Sequence, residues 1–229
     1  KKLEKLSLKK EPEAKNIVER LDGQELAISS LEKKQVKRHA QPPFTTSTLQ
    51  QEASRKLRFS ASQTMRVAQS LYEGINMGEG DAVGLITYMR TDSVSMSLEA
   101  VEKCRAYIQK NFKPTYLPEK PLFYKNKVKN AQEAHEAIRP TDFMRHPKDV
   151  KSFLNDQQFK LYDLIWKRAL SSQMMHAVRD QVTAELESQD KKFLLKATGS
   201  RLVFDGFLAV YEEGTDQQKP TEKEGELPA

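Results

Sequence analysis

Cysteine is almost absent from this chain, in which Cys104 is the only one among 229 residues. One thiol cannot form an internal disulfide or supply the thiolate cluster of a structural zinc site. Cys104 lies in a predicted helix, residues 97–112, at helical spacing from Leu98, Val101 and Ile108. This spacing favours packing in the core over a chemical role. The four histidines form no metal-ligand pattern with one another, so we predict no metal site in this chain.

Long apolar runs are also missing. No stretch approaches the roughly 18 consecutive apolar residues of a membrane span, and no signal-peptide pattern opens the chain. With 38% hydrophobic and 31% charged residues, the composition is typical of a soluble globular protein with one large domain or two moderate ones. We therefore expect a cytoplasmic protein with no membrane partner.

Basic residues outnumber acidic ones by 38 to 32, which gives a net charge of +6 and a pI near 9.2. This excess is compatible with a polyanionic partner. One basic cluster precedes PPF: Lys33, Lys34, Lys37 and Arg38. A second, in a predicted loop, interleaves lysines with aromatics: Lys113, Tyr116, Lys120, Phe123, Tyr124, Lys125, Lys127 and Lys129. Such a loop could track single-stranded nucleic acid while bases stack on the rings, or it could be a solvated loop with a few buried aromatics.

Apolar spacing predicts strands at both ends of the chain. Before the prolines at 42 and 43 it predicts a strand over 3–8, a helix over 13–21 and a strand over 26–37. The predicted helix has Ala14, Ile17, Val18 and Leu21 on one face. Beyond His176 the period becomes two, which predicts strands at 182–186, 193–197 and 201–211, with Gly199 and Gly206 at turns or bends.

The middle of the chain reads as helical. A helix to Leu57, capped by Ser47 or Thr48, and a second, capped by Ser62, form a predicted helix-turn-helix unit. The second helix should bury Met65, Ala68, Leu71 and Tyr72. A long helix over 156–174 should bury Phe159, Tyr162, Ile165, Trp166 and Ala169.

This order of elements predicts an α+β fold in which a helical domain, residues 45–175, is inserted into an antiparallel β domain. Residues 1–44 and 176–229 would form the two parts of that β domain. Since the chain ends where a further strand is due, we expect a truncated β domain and an excised fragment. The glycine-rich stretch 74–84 lacks the lysine-threonine ending of a phosphate-binding P-loop, so we interpret it as a connection.

The string GLITYMRTDS, residues 84–93, carries the candidate chemistry. The Tyr88 hydroxyl can attack phosphorus, and the Arg90 guanidinium two residues later can hold phosphate oxygens on which charge builds. Leu85 and Ile86 predict a short buried segment that anchors the loop.

The three residues after Arg90 have open roles. A carboxylate repels phosphate, so Asp92 would orient Arg90 or cap the following turn. The hydroxyls of Thr91 and Ser93 could donate to a phosphate or bond to the loop backbone.

The whole string closely resembles the active-site segment of bacterial type IA DNA topoisomerases. Two further stretches match the same family in the same order: PFTTSTLQQEASRKL at 43–57 and AQEAHEAIRPTD at 131–142. The resemblance covers nearly the whole chain and implies the middle part of a multidomain enzyme, whose helical domain would be of winged-helix or CAP-like type.

By this resemblance, Tyr88 attacks a phosphodiester of single-stranded DNA, forms a 5′-phosphotyrosyl link and releases a 3′-hydroxyl. A phenol has a pKa of about 10, so Arg90 would stabilise the oxyanion. The resemblance places His135 near the phosphate, and Arg139 would add charge or orient the loop. If their segment is helical, these two share a face.

The family also needs an acidic cluster, aspartate and glutamate at alternate positions, which holds magnesium. The family's pattern is aspartate, any residue, aspartate, any residue, glutamate, and this pattern does not occur in the sequence. The resemblance therefore implies Mg²⁺ for the complete enzyme but no cofactor in this chain, with single-stranded DNA and the enzyme's remaining domains as partners, no small-molecule substrate, and a nucleoid-associated location. The alternatives are a non-catalytic helix-turn-helix DNA-binding module and, for this chain alone, a structural hinge.

Overall fold

The computed structural model of the chain describes residues 8, 10–78, 80, 82–125 and 135–214. Within them lie six α-helices: α1 (Glu11–Leu21), α2 (Thr46–Leu57), α3 (Ala61–Glu73), α4 (Leu98–Asn111), α5 (Pro147–Val150) and α6 (Asp156–Ser171). The strands of this part are β1 (Leu26–Arg38), β2 (Ala177–Ser188) and β3 (Leu194–Phe204). Short 3-10 turns cover Pro114–Tyr116, Lys151–Phe153 and Gly206–Ala209. The mixture of helices and a separate sheet confirms the predicted α+β class.

The described residues divide into two compact units. The β unit comprises residues 8, 10–36 and 179–201, and the helical unit comprises residues 37–78, 80, 82–125, 135–178 and 202–214. The helical unit thus interrupts the β unit along the chain, as the sequence predicted. The narrower bounds predicted for a helical domain, residues 45–175, stay a prediction.

The sheet has the strand order β1–β2–β3. Contacts between facing positions give its register: Ser29 with Glu185 and Gln35 with Asp180, then Thr183 with Thr198 and Ser188 with Phe193. Residue numbers rise along one strand and fall along its neighbour, so both pairings are antiparallel. The basic cluster predicted before PPF lies on β1, which is exposed along nearly its whole length.

Helix α1 begins two residues before its predicted start and buries no side chain. Val18, predicted on its apolar face, is 65% exposed. The strand predicted over residues 3–8 falls almost wholly outside the described residues; Leu8, its one described residue, is exposed.

The caps of α2 and α3 differ from the predicted ones. Thr45 caps α2: its hydroxyl accepts a hydrogen bond from the Thr48 N–H, and the Thr48 hydroxyl accepts one from the Thr45 N–H. Ser60 caps α3 by accepting from the Gln63 N–H. The predicted caps were placed two or three residues late because each segment offers more than one hydroxyl residue, at positions 45–48 and at positions 60 and 62, and the sequence does not distinguish among them.

The core of the helical unit lies where α2, α3 and α6 pack together. Its largest fully buried side chains come from these helices, from α4 and from the segments between them: Phe44, Leu49, Leu71, Leu85, Ile86, Ile108, Ile138, Phe143, Leu161, Tyr162, Ile165 and Leu170. Cys104 is fully buried, and burial raises the pKa of its thiol. This burial confirms its predicted packing role.

A buried polar network joins α2 and α6 to the chain after Tyr211. Glu52, 1% exposed, accepts hydrogen bonds from the Tyr211 hydroxyl at 2.9 Å and from the Gly214 N–H at 2.6 Å. Arg168, 4% exposed, forms an ion pair with Glu213. Burial raises the pKa of the Tyr211 hydroxyl, so Tyr211 stays a neutral donor in this network.

Three further predictions about elements were wrong. Residues 193–197 and 201–211 do not form two strands: β3 runs through Gly199, and a 3-10 turn follows from Gly206. Gly206 lies at a bend, as predicted: its φ is +49°, and a Cβ there would clash with the Met175 carbonyl, so the position requires glycine. Helix α6 ends at Ser171, not near residue 174. Tyr72 and Leu98 were expected inside but are 42% and 68% exposed.

Candidate active site

The segment that carries Tyr88 is fixed by backbone hydrogen bonds on both sides. The Leu85 N–H donates to the Leu71 carbonyl at the end of α3, at 2.8 Å. The Thr87 N–H donates to the Arg139 carbonyl at 3.0 Å, and the Thr141 N–H donates to the Leu85 carbonyl at 3.0 Å. The side chains of Leu85 and Ile86 are buried, as predicted. The motif at 84–93 and the motif at 131–142 are therefore direct neighbours.

The half-buried ring of Tyr88 contacts two other rings. Its centroid lies 5.2 Å from that of His135, with the planes tilted by 48°. Its centroid lies 5.4 Å from that of Tyr72, on the last turn of α3, in an edge-to-face arrangement at 66°. The structure thus places His135 beside Tyr88, although 46 residues lie between them in the sequence. Tyr72 was not among the predicted site residues.

Arg90 has an exposed side chain, and within the described part of the chain it forms neither an ion pair nor a hydrogen bond. Thr46, in the first turn of α2, bonds to the backbone of Met89 and of Thr91, the residues on either side of Arg90. The Thr46 hydroxyl donates to the Met89 carbonyl at 2.8 Å and accepts from the Thr91 N–H at 2.9 Å. The first motif, 43–57, therefore supports the residues on both sides of Arg90. Thr46 lay in a recognised motif, but sequence alone could not distinguish it from the three hydroxyl residues around it.

Thr91 and Ser93 are buried, and their hydroxyls bond to the loop itself. The Thr91 hydroxyl accepts from the Ser93 N–H at 3.0 Å, and the Ser93 hydroxyl accepts from the Ser95 N–H at 3.2 Å. Two roles were predicted for these hydroxyls, contact with phosphate and hydrogen bonding to the loop backbone, and the structure contains the hydrogen bonds to the backbone. Contact with phosphate stays a prediction for both.

Asp92 is exposed, and among the described residues it forms no ion pair or hydrogen bond. The predicted contact through which it would orient Arg90 is therefore not present, and it caps no turn. Because two exposed side chains gain little from pairing in water, the sequence spacing of two residues does not bring them together.

Arg139 does not present its charge to solvent. Its guanidinium donates from Nε to Glu136 at 2.6 Å and to the Pro140 carbonyl at 2.9 Å, and the side chain is 12% exposed. The same Glu136 oxygen accepts from the Ser97 N–H at 3.0 Å, at the start of α4. Residues 135–140 are not helical, so the condition under which His135 and Arg139 would share a helical face is not met. Of the two predicted roles, positioning of the loop fits this geometry, and contact with phosphate stays a prediction.

A polar cavity of about 240 Å³ lies beside this ion pair. It is lined by Thr87, Ser97, Glu99, Ala100, Lys103, Arg139, Thr141 and Phe143. Lys103 pairs with Glu99 at 2.6 Å and Arg139 pairs with Glu136. Each cation is neutralised by a carboxylate, so the cavity offers an anion little net charge.

The aromatic residues of the second basic cluster have mixed surroundings. The Tyr116 hydroxyl donates to Asp205 at 2.8 Å, and the Tyr124 hydroxyl donates to the Ser172 carbonyl at 2.9 Å. Burial raises the pKa of Tyr124 to about 12. Phe123 is 62% exposed, so it is the aromatic of the three that a base could reach. Lys127 and Lys129 lie outside the described residues.

The imidazole rings of His39 and His176 are in contact, with centroids 5.3 Å apart. Burial, together with the charges of Lys37 and His39, lowers the pKa of His176. Over the residues that the structure covers, no three His, Cys, Asp or Glu side chains lie close enough together to hold a metal ion. None of the helices described is both long enough and apolar enough to cross a membrane.

Comparisons with known proteins agree on one family. A family model described as "DNA topoisomerase" matches residues 1–229. The DNA topoisomerase 1 of Rickettsia bellii is 51% identical over 96% of this chain, and that of Xylella fastidiosa strain 9a5c is 50% identical over 84%. The structure of full-length topoisomerase I from Thermotoga maritima superposes with a TM-score of 0.74 at 38% identity over 91% of this chain.

The chain spans only part of these relatives: 28% of the Rickettsia bellii protein, 24% of the Xylella protein and 34% of the Thermotoga chain. The family model covers all three motifs, and the Thermotoga structure matches the fold over most of the chain. The chain belongs to the bacterial type IA DNA topoisomerases, the family that its motifs resemble.

Proposed function

We propose that this chain supplies the nucleophile with which a topoisomerase cleaves and reseals single-stranded DNA, and that Tyr88 is that nucleophile. The observation that carries the proposal is the convergence of the family motifs on one place. His135, from the third motif, contacts the Tyr88 ring, and Thr46, from the first motif, holds the backbone next to Arg90 in the second.

The proposed reaction is a transesterification. The Tyr88 hydroxyl loses its proton and attacks phosphorus, the bond from phosphorus to the 3′-oxygen breaks, and that oxygen takes up a proton. The product is a 5′-phosphotyrosyl link and a free 3′-hydroxyl. Because the energy of the broken ester is kept in the new one, the 3′-hydroxyl can reverse the reaction without a nucleotide cofactor.

Two cationic or ionisable groups would assist this step. The exposed guanidinium of Arg90 is free to contact the phosphate, whose charge grows on the equatorial oxygens as the tyrosine attacks. The imidazole of His135, in contact with the Tyr88 ring, would add positive charge or a hydrogen bond next to the same phosphate. Arg139 would act through its ion pair, by holding residues 136–139 against Thr87.

The Mg²⁺ that the family implies does not fit the residues of this chain. The sequence lacks the family's pattern of aspartate, any residue, aspartate, any residue, glutamate, and the described residues contain no group of three metal-ligand side chains. We place that ion in the acidic domain of the complete enzyme, which would be the partner of this chain, together with single-stranded DNA. The complete enzyme would relax negative supercoils in the cytoplasm, at the nucleoid.

The comparisons do not favour the non-catalytic alternative, because the relatives that match are named as topoisomerases. A helix-turn-helix unit is present as α2 and α3, but it supports the Tyr88 and Arg90 segment through Leu71 and Thr46. This use of the two helices is a packing role.

The test needs a complete enzyme. We would insert these 229 residues into the full-length Rickettsia bellii relative in place of its matching segment; we call this protein the chimera. A single-stranded oligonucleotide is labelled at either end, and covalent adducts are trapped by denaturation. We expect the 3′-end label to remain on the protein and the 5′-end label to be released, because the tyrosine retains the 5′-phosphate.

Tyr88→Phe should abolish this adduct while single-strand binding survives, because only one hydroxyl is removed. Tyr107→Phe is the matched control: it also removes one tyrosine hydroxyl, on α4, where the ring packs on Trp166. An adduct that persists in Tyr88→Phe, or one that retains the 5′-end label, would refute the assignment.

A further inference from the structure

Tyr72 is an exposed aromatic residue that the proposed reaction does not use. It lies on the last turn of α3 and is 42% exposed, and its hydroxyl has no hydrogen-bond partner among the described residues. An exposed tyrosine with an unbonded hydroxyl contributes little to the core of the helical unit. Its ring makes an edge-to-face contact with the ring of Tyr88, at a centroid distance of 5.4 Å.

The backbone at Tyr72 also holds the segment that leads to Tyr88. Gly84 packs so tightly on Tyr72 that a Cβ at this glycine would lie 2.7 Å from the Tyr72 carbonyl oxygen. The next residue, Leu85, donates its N–H to the Leu71 carbonyl. One turn of α3 therefore contacts both the backbone before Tyr88 and the ring of Tyr88 itself.

This turn belongs to a rigid part of the fold. Leu71 is fully buried, and α3 packs against α6, where the Gln158 side chain donates to the Ser70 hydroxyl at 3.1 Å. A contact made from such a scaffold can set the orientation of a neighbouring side chain, because the scaffold does not move with it.

We infer that Tyr72 is a positioning residue for Tyr88: its ring limits the rotation of the Tyr88 phenol so that the hydroxyl points at the phosphorus. This inference rests on the proposed function of Tyr88. In-line attack requires a defined direction of approach, and a displacement of about 1 Å can reduce a rate about a hundredfold. The Tyr72 ring, not its hydroxyl, makes the contact, so phenylalanine should substitute for it.

The experiment uses the chimera and separates positioning from binding. The rate of adduct formation is measured at saturating oligonucleotide, and the Kd for the same oligonucleotide is measured by fluorescence anisotropy in the Tyr88→Phe background, where no cleavage follows. We expect Tyr72→Ala to lower the rate by about ten- to a hundredfold, with a Kd within about twofold of the unsubstituted value. Tyr72→Phe should restore the rate.

The matched control is Tyr107→Ala. Tyr107 makes an edge-to-face contact of the same kind, with Trp166 at 5.1 Å, but lies outside the candidate site. Its loss should lower the melting temperature and leave the adduct rate of the folded protein unchanged. If Tyr72→Ala melts before the assay temperature, Tyr72→Leu retains an apolar side chain on α3 and should show the same loss of rate.

Three outcomes would contradict the positioning role of Tyr72. An adduct rate for both Tyr72→Ala and Tyr72→Leu within about twofold of the unsubstituted chimera would overturn the inference, since positioning predicts a larger loss. A weaker Kd with an unchanged saturated rate would also overturn it, because Tyr72 would then stack on a base. If Tyr72→Phe loses as much as Tyr72→Ala, the hydroxyl matters and ring positioning is wrong. Failure of the proposed function would be seen separately, as an adduct that survives Tyr88→Phe.

Discussion

Thr46 and Thr91 are joined by two hydrogen bonds, one between their backbones and one from the Thr91 backbone to the Thr46 side chain. The Thr46 N–H donates to the Thr91 carbonyl at 2.9 Å, and the Thr91 N–H donates to the Thr46 hydroxyl at 2.9 Å. The same hydroxyl donates to the Met89 carbonyl at 2.8 Å. Arg90 lies between Met89 and Thr91, so its backbone is held on both sides while its side chain is exposed. Such a pairing suits a group that must meet a ligand from a fixed position.

Thr46→Val should weaken both the fold and cleavage. Valine matches threonine in shape but leaves the Met89 carbonyl and the Thr91 N–H without this partner, which costs about 1–3 kcal/mol for buried groups. We expect a loss of that order in the free energy of unfolding of this chain, measured by urea denaturation, and a slower adduct rate in the chimera. Thr46→Ser keeps the hydroxyl and should retain the adduct rate. Equal loss of adduct rate in both variants would contradict this prediction, because retaining the hydroxyl would then not be sufficient.

Arg90→Lys should lower the adduct rate of the chimera with no loss of stability. The guanidinium has no described partner in the protein, so its replacement removes no packing. Lysine keeps the charge but lacks the planar fork that matches a phosphate, and we expect a rate lower by about ten- to a thousandfold. Arg201→Lys, an exposed change on β3, is the control for altering an arginine. A near-normal rate in Arg90→Lys would mean that charge alone suffices.

Glu136→Gln should destabilise the chain in a pH-dependent way. Burial opposes ionisation of Glu136, but the hydrogen bonds from Arg139 and from the Ser97 N–H outweigh it, so its pKa lies below the ordinary value of 4.5. A carboxylate with a lowered pKa stabilises the folded state above its ordinary pKa, and this contribution is lost as pH falls through the folded value. The stability difference between the unsubstituted chain and Glu136→Gln should therefore be largest near neutral pH and should shrink below about pH 4.5.

Thermal melting from pH 7 to pH 3 would measure this difference. About 1 kcal/mol is expected at neutral pH, since the carboxylate is only partly buried. Glu99→Gln is the matched control: it removes an exposed carboxylate that also pairs with a cation, Lys103, and should change the melting temperature little at any pH. A Glu136→Gln difference that is constant with pH would exclude the ionised carboxylate as its source.

The chain as given should bind single-stranded DNA weakly, with strong salt dependence, and should not cleave it even with Mg²⁺ present. Binding through cations releases counterions and weakens as salt rises, and the sequence lacks the acidic cluster of the complete enzyme. Arg90→Ala should reduce the slope of log K against log salt by about one contact. Arg139→Ala should not, because Arg139 is already paired with Glu136. Anisotropy and denaturing gels measure both; a covalent adduct, or binding independent of salt, would contradict this prediction.

The sequence alone was sufficient for the family, the α+β class and the choice of Tyr88 as the candidate nucleophile, because these rest on local patterns. Helical spacing identified α2, α3, α4 and α6, and period-two alternation identified β2. It was less successful at the ends of elements. Several adjacent hydroxyl residues can each cap a helix, and only the hydrogen bonds of Thr45 and Ser60 show which ones do. Likewise β3 runs straight through Gly199, since its pairing with β2 outweighs the local preference of glycine for a bend.

The surroundings of Tyr88 depended on tertiary structure. Nothing in the spacing of residues predicts that Tyr72 turns outward to meet Tyr88, that Thr46 holds both neighbours of Arg90, or that Arg139 is neutralised by Glu136. The first two are contacts between segments that are distant in the sequence, and their geometry is set by how α2 and α3 pack. The candidates for the chemistry could be chosen from the sequence, because each lies in a local motif. Their surroundings could not, because the packing of the helical unit brings Tyr72 and His135 to the Tyr88 ring, leaves Arg90 exposed and pairs Arg139 with Glu136.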